Sequence, residues 1–157
     1  MYNGSILRNL DAIQIQEYQQ NRYPWFFVDF IEEVLPGKYA RGYKNFTYNE
    51  WFFPQHFEHK PIVPGCILIE SLVQVLLMTL LTLYETKGKV ATDAKCQAVF
   101  KREIKPGDRM DIVANLDFYK RGIAKGNSSG YVGGELACKA EYIITVPEIM
   151  LRFRPRI

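Results

Sequence analysis

The order of apolar and polar residues divides the chain into segments with different periods. Apolar and polar residues alternate over residues 110–118 and again over residues 135–144, which is the period of a β-strand with one covered face. Three segments rich in aromatic and β-branched residues predict further strands, at residues 25–34, 38–47 and 95–104. The glycines and serines of residues 126–130 are typical of a turn between the last two strands.

Residues 66–84 are apolar almost all round and predict one long helix, in which Glu70 and Gln74 are the main polar interruptions. A helix that is hydrophobic on every side needs either protein or lipid around it. Its length alone would permit a membrane span, but the chain supplies several strands to surround one helix and no second span. The order of hairpin, helix and three-strand meander therefore predicts an α+β fold, in which a long antiparallel β-sheet wraps around a central α-helix.

Composition adds limits to this prediction. The chain has 157 residues, 48% of them apolar and 24% charged, which is ordinary for one globular domain. We expect a single domain over residues 1–157, with a short helix in a leading segment (1–20) and a basic tail (147–157). The net charge of +3 is small and scattered, so no nucleic acid partner is predicted. No secretory signal is visible, and a cytoplasmic location is expected.

The cysteines and histidines do not predict a metal site. Cys66, Cys96 and Cys138 are far apart and lack the CxxC spacing, so neither a disulfide framework nor a zinc site is favoured. We expect Cys96 and Cys138 to be buried, small strand residues. His56 and His59 lie close together in sequence, but zinc needs more ligands and a supporting frame, so no metal is predicted.

The candidate chemistry lies between His56 and Glu70. His56 lies in a polar loop, Pro64-Gly65 follows, and Glu70 then enters the apolar helix. A carboxylate is rare in an apolar helix unless it is paired or functional. A histidine and a glutamate can act as base and acid in proton transfer. The alternative interpretation is a buried polar pair that only joins the loop to the helix.

Motifs spread over roughly residues 21–146 resemble those of the 3-hydroxyacyl-[acyl carrier protein] dehydratases of fatty-acid synthesis, a family with the hot-dog fold. The matching residues are Arg22-Tyr23-Pro24, Val28-Asp29, Lys44-Asn45, Asn49-Glu50, Phe52-Phe53, His56-Phe57, Lys60-Pro61-Ile62, Pro64-Gly65, Glu70 to Gln74, Phe100-Lys101-Arg102 and Pro106-Gly107-Asp108. Two positions differ from the family pattern. Gln55 replaces the glycine before the histidine, and Glu58-His59 replaces Pro-Gly after it.

The resemblance implies that His56 and Glu70 are the catalytic residues. It also implies that the N–H of Gly65 holds the carbonyl oxygen of the substrate and that the carbonyl of Ile62 orients the histidine. Gln74 lies one turn after Glu70, so we expect it to orient the carboxylate.

The implied reaction removes water from a (3R)-3-hydroxyacyl thioester on acyl carrier protein and leaves a trans-2-enoyl thioester. No cofactor is implied, because the thioester is the electron sink and the substrate is carried on the phosphopantetheine of its carrier. The family's site is shared between two subunits, so the resemblance implies a homodimer or a trimer of dimers.

Two assignments leave more than one interpretation open. Cys66 begins the helix, where a thiolate would be stabilised, and its roles are covalent catalysis or, as we favour, lining of the acyl pocket. Lys101, Arg102, Lys120 and Arg121 form either a basic mouth that attracts an acidic carrier protein or a solvated charged face.

The function as a whole also has rivals. One is a hydratase or thioesterase of the same fold, although no separate base for hydrolytic water is visible. The other is a non-catalytic protein that binds acyl chains or carrier protein, which the changed loop at Gln55 and Glu58-His59 favours. Turnover of an enoyl thioester separates these alternatives.

Overall fold

The computed structural model describes residues 4–153, so residues 154–157 of the predicted basic tail lie outside the described part. The elements in chain order are β1 (Leu7–Asp11), α1 (Ala12–Ile15), β2 (Phe30–Leu35), β3 (Tyr39–Asn45), α2 (Gly65–Leu81), β4 (Thr92–Phe100), β5 (Arg109–Lys120), β6 (Ile123–Val132), β7 (Glu135–Thr145) and α3 (Pro147–Leu151). The strands form one antiparallel sheet in the order β1-β2-β3-β5-β6-β7-β4.

The apolar helix α2 lies at the centre of the fold, as the sequence predicts. It packs against β2, β3, β5, β6 and β7, and nearly every side chain from Ile67 to Leu81 is buried. Its ends differ slightly from the prediction, since the helix begins at Gly65 and stops before residues 82–84. Within residues 4–153 no helix has the length and apolar character that crossing a membrane requires.

The strand β6 corrects the sequence analysis. Residues 126–130, predicted as a turn, lie in the middle of β6, so among the described residues four strands follow α2 rather than three. Gly126 and Gly130 are on the buried face of this strand. A Cβ atom added at Gly126 would lie 2.8 Å from Leu76 Cδ1, and one added at Gly130 would lie 2.5 Å from Met110 Sδ. These glycines are therefore strand residues that admit close neighbours.

The leading segment adds a strand that the sequence analysis does not predict. β1 pairs with β2 at one edge of the sheet, and the predicted leading helix is reduced to the single turn of α1. The Asp11 carboxylate caps this turn by accepting from the N–H groups of Ile13 and Gln14. The strand predicted at residues 25–34 begins only at Phe30.

β4 forms the other edge of the sheet, where it pairs with β7. Its residues are exposed except Ala98, which is half-buried. The sequence predicts that Cys96 and Cys138 are both buried, but Cys96 is exposed and only Cys138, in β7, is buried. The reason is position in the sheet: β7 is covered by strands on both sides, and β4 on one side only.

Candidate active site

His56 follows a short 3-10 helix (Phe53–Gln55) that is anchored by the buried rings of Phe52 and Phe53. Its backbone is held twice, because its N–H donates to the carbonyl of Phe53 (3.2 Å) and its carbonyl accepts from the N–H of Ile62 (2.9 Å). His56 Nδ1 lies 3.1 Å from the carbonyl oxygen of Ile62. A carbonyl only accepts, so Nδ1 carries the proton of the neutral ring and Nε2 remains a free base.

The altered part of the loop forms a closed turn. The N–H of Phe57 donates to the carbonyl of Lys60, and the N–H of Lys60 donates to the carbonyl of Phe57, both at 3.1 Å. Glu58 and His59 occupy the two exposed corners of this turn. Neither these residues nor Gln55 has a positive φ angle, so none of these three positions needs the conformational freedom of a glycine.

Gly65 begins α2 beside His56. The two line a cleft of about 390 Å³, with Ile62, Val63, Leu68, Phe100, Lys101, Arg102, Glu103 and Ile104 as the other lining residues. A Cβ atom at Gly65 would lie 3.0 Å from Cζ of Phe100, so the aromatic ring approaches the backbone closely there. The first N–H groups of a helix have no partner within the helix and carry partial positive charge. The N–H of Gly65 is therefore suited to hold a developing oxyanion.

Glu70 lies one turn further along α2 and is half-buried. Its Oε1 accepts from Nε2 of Gln74 (2.8 Å) and from Nδ2 of Asn21 (3.4 Å). Gln74 is fully buried, and its amide also bridges α2 to the preceding loop. Its Oε1 accepts from the N–H of Phe27 (2.7 Å), and its Nε2 donates to the carbonyl of Trp25 (3.0 Å). These bonds fix which end of the amide faces Glu70, so the predicted contact is present.

A second carboxylate, Asp93, lies near Glu70 and was not predicted from the sequence. Although β4 is an exposed strand, partial burial of the Asp93 carboxyl and the charge of Glu70 raise its pKa to about 6. The hydroxyl of Tyr142 donates to the carbonyl of Ile69 (2.8 Å), which ties β7 to α2 next to Glu70. Burial raises the pKa of the Cys96 thiol, and the charge of Asp93 raises it further. No pattern in the sequence around Asp93 signals this proximity.

The structure separates the predicted site residues into two groups. His56, Ile62 and Gly65 meet at the cleft, whereas Glu70 is not among the residues that line it. Glu70 contacts Gln74 and Asn21 instead. Within one chain, the candidate base and the candidate acid therefore do not line a common cavity among residues 4–153.

The four predicted carrier-binding residues also fall into two places. Lys101 and Arg102 line the cleft, and the N–H of Lys101 donates to the start of β7. Lys120 ends β5 and Arg121 begins the turn to β6, and the neighbouring Ile123 pairs with the last residue of β7. The two pairs are about 25 Å apart along that strand, at ~3.3 Å per residue. A single basic mouth made of all four is thus not formed within one chain, and carrier binding stays a prediction.

Cys66 is exposed at the start of α2, and all three cysteines are free thiols. Across the described part of the chain, no three side chains of His, Cys, Asp or Glu are grouped closely enough to hold a metal ion.

Comparison with known proteins agrees with these features. Residues 20–141 match the model of the FabA-like domain family. The 3-hydroxyacyl-[acyl-carrier-protein] dehydratase FabZ of Bacillus licheniformis is 40% identical over 140 residues, which cover 88% of this chain and 97% of that enzyme. The FabZ of Clostridioides difficile is 38% identical over 140 residues, covering 88% of this chain and 99% of the relative.

Solved structures show the same hot-dog fold at low sequence identity. One chain of the dehydratase heterocomplex ApeI:P from Xenorhabdus doucetiae superposes with a TM-score of 0.73 at 12% identity, covering 89% of this chain and 97% of that one. An uncharacterized protein, PH1136, from Pyrococcus horikoshii superposes with a TM-score of 0.65 at 12% identity, covering 83% and 91%. The predicted α+β hot-dog fold is confirmed. With its family match and its identity to FabZ over most of its length, this chain belongs to the FabA-like family of 3-hydroxyacyl-[acyl-carrier-protein] dehydratases.

Proposed function

We propose that the chain is a dehydratase that converts (3R)-3-hydroxyacyl thioesters on acyl carrier protein into trans-2-enoyl thioesters, with His56 as base and Glu70 as acid. The observation that carries the proposal is the hydrogen bond from His56 Nδ1 to the carbonyl of Ile62. This bond directs the basic Nε2 away from the loop, in a cleft that also contains the N–H of Gly65. The family membership supports the same reaction.

The steps follow from the chemistry of these groups. Nε2 of His56 removes the proton from C2, which the thioester carbonyl acidifies. The N–H of Gly65 stabilises the negative charge that develops on the carbonyl oxygen. Glu70 then gives its proton to the C3 hydroxyl as the C–O bond breaks, and water leaves. The thioester accepts the electrons, so the enzyme has no need of a cofactor of its own.

The shared site is part of the proposal. β4 presents an unpaired, exposed strand edge that another chain can extend. Val99 and Phe100 expose apolar surface on this strand, which favours a symmetric partner. Pairing of two β4 strands would continue the sheet across both chains and bring a second α2 to the cleft. His56 of one chain would then meet Glu70 of the other, in a homodimer or in a trimer of dimers.

The carrier protein is the proposed macromolecular partner. Lys101 and Arg102 lie at the cleft that contains His56, so their charge acts where an acidic carrier has to deliver its thioester. Arg102 is already paired with Glu135 (2.8 Å), which leaves Lys101 as the more available cation. Free thiols at Cys66 and Cys96 suit the reducing cytoplasm in which we place the enzyme.

The non-catalytic alternative loses its main support. The changed residues Glu58 and His59 are at the exposed corners of a closed turn and leave the hydrogen bond between His56 and Ile62 in place. The loop change therefore gives no physical reason for loss of proton transfer.

Turnover tests the proposal directly. We expect the purified protein to form the ultraviolet-absorbing enoyl thioester from a (3R)-3-hydroxybutyryl thioester, and to consume a crotonyl thioester in the reverse direction. His56→Ala and Glu70→Ala should each lower kcat by about a hundredfold or more, as is typical for loss of a general base or acid.

The control is His59→Ala, which removes the exposed histidine of the same loop and should keep full activity. Near-normal turnover of either His56→Ala or Glu70→Ala would refute the assigned roles, and absence of turnover by the unmodified protein would refute the function.

A further inference from the structure

The two oxygens of the Glu70 carboxyl group have different surroundings. Oε1 accepts two hydrogen bonds, from Nε2 of Gln74 at 2.8 Å and from Nδ2 of Asn21 at 3.4 Å. Among the described residues, Oε2 accepts no hydrogen bond and takes part in no ion pair. It is also not one of their fully buried atoms that lack a partner. Oε2 is therefore the oxygen that a substrate can reach.

This difference decides where Glu70 holds a proton. The N–H groups of a side-chain amide donate and cannot accept, so the oxygen that they face acts as the carbonyl oxygen of a protonated carboxyl group. When Glu70 carries the proton that its role as acid requires, that proton is consequently on Oε2. The carboxyl group then presents a donating O–H on its accessible side, and the two amides hold the opposite side.

Asn21 is held beside α2 by the segment that carries it. Before Asn21, the fully buried Gln19 donates from Nε2 to the backbone carbonyl of Gln74 (2.5 Å). After Asn21, the N–H of Phe27 and the carbonyl of Trp25 are bonded to the side-chain amide of Gln74. The segment is therefore bonded on both sides of Asn21 to one residue of α2, which limits how far Asn21 can move.

Arg22 fixes the backbone at Asn21 itself. Its Nη1 donates to the carbonyls of Gln19 and Asn21, both at 2.7 Å, and its Nη2 donates to the carbonyl of Gln16 at 3.0 Å. Hydrogen bonds from a charged donor are stronger than those between neutral groups. A side chain on a backbone fixed in this way has less conformational entropy to lose when it forms a hydrogen bond, so one amide suffices to orient Glu70.

We propose that Asn21 is a positioning residue that acts through Glu70: with Gln74 it holds Oε1, so that Oε2 carries the acid proton and faces the C3 hydroxyl of the substrate. This inference rests on the dehydratase function proposed above. In each turnover Nε2 of His56 takes the proton from C2, and the electrons of that C–H bond form the second bond between C2 and C3. The C3–O bond breaks, and the proton on Oε2 passes to the departing oxygen to form water. His56 then releases its proton to solvent, and Glu70 takes one from solvent.

The test is the steady-state rate of dehydration of a (3R)-3-hydroxybutyryl N-acetylcysteamine thioester by the purified enzyme. Asn21→Leu keeps the size of the side chain and removes its donor. It should lower kcat about tenfold and change KM less than about twofold, because the substrate still binds but the O–H of Glu70 is no longer aimed. Asn21→His places a ring N–H at the same number of bonds from the backbone, and it should be at least about threefold faster than Asn21→Leu. Unchanged kcat in Asn21→Leu, or no gain in Asn21→His, would overturn the proposal.

Gln20→Leu is the matched control. Gln20 is the neighbour of Asn21, and its Nε2 donates to the carbonyl of Gly88 (2.7 Å), beyond the end of α2. The variant therefore removes a side-chain amide from the same segment without touching Glu70. Its kcat should equal that of the unmodified enzyme. A loss as large as that of Asn21→Leu would indicate general damage to the segment and refute the positioning role.

A double-variant comparison shows whether Asn21 acts through Glu70. In a Glu70→Gln background no acid proton is left to direct, so adding Asn21→Leu should lower the residual rate less than about twofold. A further tenfold loss in this background would overturn the proposal, because structural damage lowers both rates alike. Failure of the inference is distinct from failure of the proposed function. Normal turnover by both the unmodified enzyme and Asn21→Leu would refute the positioning role alone, whereas absence of turnover by the unmodified protein would refute both.

Discussion

The two halves of the proposed site are built in opposite ways. The His56 half is local: its hydrogen bonds join residues 53–62, and the cleft above it is open. The Glu70 half is assembled from distant segments, because Gln74 is bonded both to Glu70 and to the backbone of Trp25 and Phe27. One half is a short loop held against the fold, and the other is part of the core.

This difference predicts how each half responds to change. A loop held by its own backbone should tolerate exchanged side chains, such as those of the exposed residues Glu58 and His59. A carboxylate held by a buried amide has no such freedom, because each polar group around it needs a partner. Changes near Glu70 should therefore affect stability and catalysis together, whereas changes near His56 should separate the two.

The largest expected effect on activity comes from mixing two inactive variants, so that the His56 half of one chain can combine with the Glu70 half of another. His56→Ala and Glu70→Ala subunits should each be nearly inactive alone. When they are mixed in equal amounts, half of the dimers contain one subunit of each kind, and each such dimer regains one intact site. Activity should rise at least tenfold and approach about a quarter of the unmodified value.

Turnover after verified subunit exchange, together with light scattering, measures this outcome. A monomer at micromolar concentration, or exchange without recovery, would contradict the shared site.

Gln74→Ala should produce the next largest effect. It removes a buried amide and leaves the N–H of Phe27 and the carbonyl of Trp25 without their partner, so the free energy of unfolding should fall by about 2–4 kcal/mol. Glu70 loses its best hydrogen bond, and kcat should fall as well. Denaturant unfolding and turnover are the measurements. Gln55→Ala, in the exposed part of the His56 half, should change stability by less than about 0.5 kcal/mol; equal losses in both variants would remove the contrast.

Gly65→Ala should lower kcat/KM about tenfold with little loss of fold. The new methyl group would lie 3.0 Å from Cζ of Phe100, so the ring has to move, and overpacking of this kind costs about 1–3 kcal/mol. The added penalty should shrink when the substitution is made in a Phe100→Ala background, where the ring is absent. A penalty of the same size in both backgrounds would exclude the ring as its cause.

Charge reversal at the cleft should have a smaller effect. Lys101→Glu combined with Arg102→Glu should slow the reaction of carrier-bound substrate several-fold, because the steering charge is lost. Reaction of a small thioester should be unchanged. Lys120→Glu with Arg121→Glu, at the far end of the sheet, is the matched control and should leave both substrates unaffected. Equal losses on carrier-bound and small substrates would indicate damage to the fold instead.

The smallest expected effect is on stability against pH. Folding raises the pKa of Asp93 from 3.8 to about 6, so the folded state binds this proton more tightly than the unfolded state does. Stability from this group is therefore present at low pH and is lost as pH rises through 6. Asp93→Asn should have a higher Tm than the unmodified protein at pH 8, and the difference should vanish near pH 4. Equal Tm values at pH 8 would contradict the raised pKa.

The sequence by itself determined the central helix and most of the strands, and its resemblance to a known family pointed to the candidate site residues. A helix that is apolar on every side has to be surrounded by other residues, and a strand with period-two alternation has to have its apolar face covered. Both requirements hold whichever residues provide the cover. Local order also placed the start of α2 within one residue of Gly65, and it placed Gln74 one turn after Glu70. These features depend on residues that are near each other in the chain, so pattern alone predicts them.

The tertiary structure decided every property that depends on which distant residues become neighbours. Gly126 and Gly130 are typical of a turn until α2 and β5 are seen against them, and Cys96 is typical of a buried strand residue until its strand is found at an edge. The charge of Glu70 acts on Asp93 because the pairing of β4 with β7 brings these residues near each other, and no spacing in the chain encodes that proximity. Burial, edge position and the pairing of distant charges are properties of the assembled sheet, and they set which side chains share a site.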